Sequence, residues 1–149
     1  MGFPDVGKYQ AQAQQLGVSD CVQFTGKINY KDAPHMLSSG DIAITAKIST
    51  TEGSGKMLNY MALGLPVVAF DTPVHREYLG DHGSWVEPHD IEGMVQVITD
   101  LAHDPVKGKA QGALLRQRVT EIFTWPAAAK KIDFVYQKLL SRRYGTKIK

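Results

Sequence analysis

Cysteine is nearly absent from this 149-residue chain. Cys21 stands alone, so no intramolecular disulfide can form and a thiolate metal site would have at most one ligand. A disulfide scaffold is excluded, and the expected compartment is the reducing cytoplasm. Long apolar runs are missing too. No stretch nears the ~20 residues of a membrane span, and Met1-Gly2-Phe3-Pro4-Asp5 has neither the basic nor the apolar region of a signal peptide. The five histidines, at 35, 75, 82, 89 and 103, show no metal-ligand spacing, so no metal site is expected.

Net charge is small, +2 from 17 basic and 15 acidic residues, but it is unevenly placed. Residues 1–129 carry 10 basic and 14 acidic side chains, whereas residues 130–149 carry 7 and 1. Arg142, Arg143, Lys147 and Lys149 lie beyond the last apolar pair, Leu139-Leu140. The favoured reading is that these cations complement a helix C-terminus and are otherwise solvated. The alternative is a polyanion contact, with an anionic membrane surface near a lipid-linked acceptor and not with nucleic acid.

Along the chain, Asp5 is placed to cap a helix through Leu16, closed by Gly17 and followed by a short apolar strand at Val22–Phe24 that stops at Gly26. Residues 31–38 read as a short helix with Pro34 in its first turn, leading through Gly40-Asp41 into a strand at Ile42–Thr45. Residues 56–63 read as helix, Gly64 takes the position after it, and Val67–Phe70 reads as another buried strand. Thr72-Pro73 opens a further helix, and residues 84–87 form a short segment. Asp90 caps a helix with apolar positions Ile91, Met94, Val95, Ile98 and Leu101, stopped by Pro105. Helices over about 106–123 and 127–140 finish the chain, the last with Ile132, Val135, Tyr136 and Leu139 on one stripe. Trp85 and Trp125 read as packing aromatics. The pattern predicts an α/β fold, a doubly wound Rossmann-like parallel sheet, in one partial domain over residues 1–149 with extra C-terminal helices.

In such sheets ligands bind beyond the carboxyl ends of the strands, which directs interest to the loop Lys47-Ile48-Ser49-Thr50-Thr51-Glu52-Gly53-Ser54-Gly55-Lys56. Its glycines let main-chain amides approach a ligand, the helix N-terminus supplies N–H donors, and Lys56 adds a full positive charge. Phosphate is the guest this chemistry suits. It is not a Walker A loop, because Met57 follows Gly55-Lys56 and Thr50 stands where a glycine is required. Nor is it a dinucleotide fingerprint, because Leu58 occupies the third glycine position. On spacing alone, a glycine-rich turn capping an ordinary helix remains open.

The stretch from Thr50 to Ala69, ending T-E-G-S-G-K-M-L-N-Y-M-A-L-G-L-P-V-V-A, resembles the donor-site signature of family-4 (group 1) glycosyltransferases of the GT-B fold. Val22–Gly26 is similar to that family's V-x-F-x-G strand, and Ser39–Ile44 to the strand that follows it. Arg76–Leu79, Gly83–Asp90 and Phe123-Thr124-Trp125 are similar to later segments. The resemblance implies a C-terminal, donor-binding domain truncated at its N-terminal side, without the acceptor domain, the first β-α-β unit or the family's basic phosphate ligands; Gly2-Phe3-Pro4 is similar to the residues after the second strand. The expected chain is either a fragment of a longer transferase or a natural remnant.

What the resemblance implies for residues follows position by position. Gly53, Ser54 and Gly55 offer amides to the donor's sugar and diphosphate, and Lys56 adds charge nearby. The family's ribose-binding glutamate falls on Asn59, an altered ribose contact, and its first glutamate falls on Thr51, with Glu52 beside it as the candidate catalytic carboxylate. The implied activity is retaining hexosyl transfer from a nucleotide-sugar to an unknown acceptor, with no metal or cofactor; the alternative is a non-catalytic α/β module binding a nucleotide or a protein. His75 reads as a surface histidine, and Glu77 as a structural carboxylate serving helix N-terminal amides. In strand order 3-2-1-4-5-6, the absent strands would lie between Val22–Phe24 and Ile42–Thr45. Two outcomes are expected: Val22–Phe24 pairs directly with Ile42–Thr45 in a four-stranded sheet, or two chains associate as a homodimer through that edge.

Overall fold

The computed structural model describes residues 5–49 and 51–145. Expectations attached to Gly2, Phe3, Pro4, Thr50, Lys147 and Lys149 lie outside the described residues. The chain divides into two compact units, with the boundary between Leu37 and Ser38.

In the first unit, α1 (Val6–Gln15) ends as its sequence predicts, with Gly17 in the left-handed region at φ 68° and the Val18 N–H donating to the Ala13 carbonyl. Its start differs. Asp5 takes the N-cap position but has φ 74° and makes no side-chain capping bond. A 3-10 turn (Ser19–Cys21) follows, and Val22 is extended, at φ −123° and ψ 119°. Yet Val22–Phe24 is not a strand and pairs with nothing in the sheet, which corrects the four-stranded expectation. Extended dihedrals are a local preference, whereas a strand requires a ladder partner. The short helix α2 (Ala33–Ser38) carries Pro34 in its first turn.

The second unit is built on three parallel strands, β1 (Ala43–Thr45), β2 (Val67–Phe70) and β3 (Ser84–Val86), in the order β1-β2-β3. This is the 4-5-6 half of the doubly wound order. Ala43 pairs with Val67 and Thr45 with Ala69, while Val68 pairs with Ser84 and Phe70 with Val86. The helices are α3 (Gly55–Ala62), α4 (Pro73–Leu79), α5 (Ile91–His103), α6 (Pro105–Ile122) and α7 (Trp125–Tyr144). Caps set the starts of four of them by the same device. The side chains of Thr72, Asp90, Asp104 and Thr124 accept hydrogen bonds from the amides of His75, Gly93, Lys107 and Ala127.

All four residues of β2 are buried, and their alternation feeds two cores. Val67 and Ala69 pack with Met57 and Met61 of α3, Leu79 of α4, and Leu115 and Val119 of α6. Val68 and Phe70 pack on the opposite face with Val86, Met94 and Leu101 of α5. Helices thus cover both faces, as the α/β reading requires. Cover is incomplete at the edge: Ile44 of β1, on the α5 side, is 44% exposed.

Two expectations about aromatic and apolar side chains change. Trp85 packs against the first core as expected, but Trp125 is 89% exposed. Ile132, Val135, Tyr136 and Leu139 do form one stripe of α7, and each is more than half exposed. The α3–α6 contact, by contrast, is close enough to exclude a side chain. Gly64 ends α3 at φ 70°, and its carbonyl faces Gly112 of α6, where a Cβ would come within 2.6 Å of the carbonyl carbon. At Gly108, one turn earlier, a Cβ would meet only Pro66, at 3.6 Å. Gly112→Ala is expected to destabilise the protein by about 1–3 kcal/mol or more, whereas Gly108→Ala is neutral or stabilising by up to about 1 kcal/mol. Urea denaturation of the two variants checks this, and equal midpoints would contradict the packing.

Candidate functional site

The loop from Ala46 to Ser54 leaves the carboxyl end of β1 and turns directly into α3. Its bend is organised by Ser49, whose hydroxyl oxygen accepts from the amides of Thr51 at 3.4 Å and Glu52 at 3.1 Å. Those two amides therefore face inward. Ser54 is buried at the N-cap of α3 and makes no side-chain capping bond, while its backbone carbonyl accepts from the Met57 amide at 2.9 Å. Gly53 and Gly55 differ in why they suit glycine. A Cβ at Gly53 would lie 2.9 Å from the Tyr78 hydroxyl, whereas one at Gly55 would meet nothing within 4 Å. The space before the helix N-terminus is open.

All seven residues singled out from sequence lie on this loop and on the first five residues of α3. Met57 and Met61 are fully buried, which turns Lys56 and Asn59, three residues apart, to the exposed side. Glu52 is exposed and forms an ion pair with Lys47, Nζ to Oε2 at 2.8 Å. The hydrogen bond from Lys47, reinforced by its charge, lowers the carboxyl pKa below the ordinary glutamate value. Lys47 is the residue that sequence reasoning missed. It sits just past the strand, but a pairing across five residues of irregular loop has no spacing rule from which it could be read.

The neighbouring strand end holds a second set of groups. His75, expected at the surface, is fully buried. Its Nδ1–H donates to the Phe70 carbonyl at 2.7 Å, because a carbonyl can only accept. That leaves Nε2 to accept from the Thr45 hydroxyl at 3.4 Å. The imidazole thereby ties the ends of β1 and β2 to α4, and it is no ligand group. Arg76 Nε donates to Asp71 Oδ1 at 2.7 Å, a second guanidinium nitrogen donates to Oδ2, and the guanidinium lies 4.0 Å from the Trp85 ring centroid. The hydrogen bonds from Arg76 lower the Asp71 pKa, and Asp71 raises that of Arg76. Glu77 does not serve the helix N-terminus, a task Thr72 performs. Its carbonyl instead accepts from Arg118, which also donates to the Tyr78 carbonyl at 2.8 Å. Among the described residues, no group of three or more His, Cys, Asp or Glu side chains is arranged to hold a metal.

A parallel sheet with a helix that starts at its carboxyl edge is the arrangement in which α/β domains present helix N-termini to ligands. The model of the family described as glycosyl transferases group 1 matches residues 2–119, and the chain belongs to that family. It carries part of the GT-B C-terminal domain. Among curated relatives, it is 28% identical over 140 residues to a GDP-mannose-dependent monoacylated alpha-(1-6)-phosphatidylinositol monomannoside mannosyltransferase of Corynebacterium glutamicum, covering 88% of this chain and 37% of that protein. Among solved structures, it is similar to sucrose-phosphate synthase from Thermosynechococcus elongatus, with TM-score 0.80 and 22% identity over 91% of this chain and 34% of the other. It is also similar to the HepE protein of Anabaena in complex with UDP, with TM-score 0.80 and 18% identity over 89% and 36%. The chain thus spans little more than a third of each of these proteins.

The Lys47–Glu52 pair makes a direct prediction about pH. Because the folded-state pKa of Glu52 is depressed, its contribution to stability is present above the unfolded value and fades as pH falls through the folded one. Full exposure keeps that contribution small. In an NMR titration, Lys47→Met is expected to raise the Glu52 midpoint toward the ordinary glutamate value, and high salt to do the same in the wild type. An unmoved midpoint would dismiss the pair.

Proposed function

We propose that this chain is the donor-nucleotide-binding part of a retaining family-4 hexosyltransferase, moving a sugar from a nucleotide-diphosphate-sugar to an acceptor. The observation that carries this reading is the open start of α3, without a side-chain cap, at the carboxyl end of β1, with Lys56 on its first turn. The amides of Gly53, Ser54 and Gly55, together with Lys56, hold the diphosphate and stabilise it as it departs. Asn59, one turn further, contacts the ribose through its amide. Thr51 and Glu52 face the sugar; Glu52, ionised through Lys47, accepts from sugar hydroxyls and opposes the positive charge that develops at the anomeric centre. On this reading neutralisation falls to dipoles and lysines, with no metal or cofactor. Support comes from the relative named as GDP-mannose-dependent and the neighbour solved with UDP.

Acceptor recognition is assigned to an N-terminal acceptor domain, outside the third of the relatives that this chain matches. On the same reading residues 1–149 form one partial domain, and the protein works in the cytoplasm, peripheral to the inner membrane face through its basic end. No helix among the described residues is long and apolar enough to cross a membrane. A second reading, a non-catalytic nucleotide- or protein-binding module, is favoured by the amide at Asn59 and by the edge of β1, which would also serve a homodimer. Hydrolysis of, or transfer from, any nucleotide-sugar by the chain separates the two.

The nucleotide site itself is tested by titrating UDP and GDP against the labelled protein. Amide shifts are expected to cluster over residues 51–59. Lys56→Ala is expected to cost about 1–3 kcal/mol of binding, and Gly55→Val to block the approach. Shifts centred elsewhere, or binding unchanged in both variants, would refute the site.

A further inference from the structure

Tyr78 stands on α4, but its hydroxyl belongs to the loop before α3. Side chains lean toward the N-terminus of their own helix, so a tyrosine near the end of α4 directs its ring back to the carboxyl edge of the sheet. There the hydroxyl oxygen lies 2.9 Å from the point where a Cβ on Gly53 would stand, and the ring carbon Cζ lies 4.0 Å from it. The ring is firmly held. It packs against the first core and stacks on Phe123, with centroids 5.4 Å apart and planes 21° from parallel, while Arg118 donates to the Tyr78 carbonyl at 2.8 Å. The hydroxyl, by contrast, makes no hydrogen bond among the described residues and is not sealed from solvent. A phenylalanine would fill the same place in the core and would leave Gly53 free to carry a side chain.

We propose that the Tyr78 hydroxyl is a further contact of the nucleotide donor, donating a hydrogen bond to an oxygen of the diphosphate held by the amides of Gly53, Ser54 and Gly55. This deepens the donor-site reading, on which it rests, by adding a side chain from α4 to the amides and lysine of the α3 start. A phenol O–H can donate and a phosphate oxygen can only accept, so the two are matched. Because the ring is already fixed by Phe123 and the core, the contact forms with little loss of side-chain freedom. Gly53 is bare on the side that the hydroxyl occupies, which lets the donor loop and Tyr78 approach the same ligand group.

The test is NMR titration of UDP and GDP against the wild type and Tyr78→Phe, with urea denaturation of both proteins. Tyr78→Phe is expected to weaken both diphosphates about tenfold, because hydrogen bonds to charged groups are the stronger kind, and to leave the urea midpoint in place. Uridine and guanosine, which carry no phosphate, should be insensitive to the change. Gly53→Ala should displace the amide signals of residues 51–55 and weaken UDP binding in the wild-type background, and should be tolerated beside Tyr78→Phe, where the nearest ring atom stands 4.0 Å away. If UDP and GDP shift residues 51–59 and bind Tyr78→Phe as tightly as the wild type, the tyrosine contact is overturned and the donor site stands. If the wild type binds neither, both fail. Equal weakening of the nucleosides, or a fall in the urea midpoint, would make the hydroxyl structural and overturn the proposal, as would an effect of Gly53→Ala that is the same in both backgrounds.

Discussion

The second unit depends on burying one short parallel strand completely. β2 has a strand on each side and helices above and below, so every one of its side chains must find an apolar partner. Val67 and Ala69 recruit α3, α4 and α6, and Val68 and Phe70 recruit α5. The close approach of Gly64 to Gly112 follows from the same demand, because α6 must come within backbone distance of the end of α3 to close the first core. His75 then ties the ends of β1 and β2 to α4 through its two ring nitrogens. The carboxyl edge of the sheet is thereby held in place, and the loop before α3 springs from it.

Charge at that edge is shared out unevenly. Arg76 is occupied by Asp71 and Trp85. Lys47 holds Glu52, while Lys56 forms no ion pair among the described residues. The positive potential available to an anion is therefore concentrated at the start of α3, where the helix dipole adds to it. Arg76 and Lys56 can lie at the same edge without competing because the guanidinium is saturated by its bidentate contact with Asp71.

What could be read from the chain alone was whatever is decided within a few residues. Thr72 and Asp90 accept from amides three positions away, and Pro73 fixes φ at the first helical position, so those helices begin where their residues indicate. Val67–Phe70 announces a buried strand because four apolar residues in a row can belong nowhere else between Pro66 and Asp71. The turn from the glycine-rich loop into a helix at Gly55-Lys56 was also legible, since glycines followed by an apolar pattern at helical spacing mark such a start.

The remainder was set by partners distant in sequence. Val22 is extended as its β-branched side chain prefers, but Val22–Phe24 forms no strand because no ladder reaches it. His75 looks like any surface histidine until Thr45, 30 residues away, and Phe70 enclose it. Gly112 is one glycine among 14 until Gly64 arrives beside it. The stripe of α7 has the periodicity of a buried face, yet it faces outward, because periodicity states that a side will be covered and not by what. Local chemistry determined where elements start and which sides are apolar; tertiary structure alone decided which sides meet, since that depends on surfaces far apart along the chain.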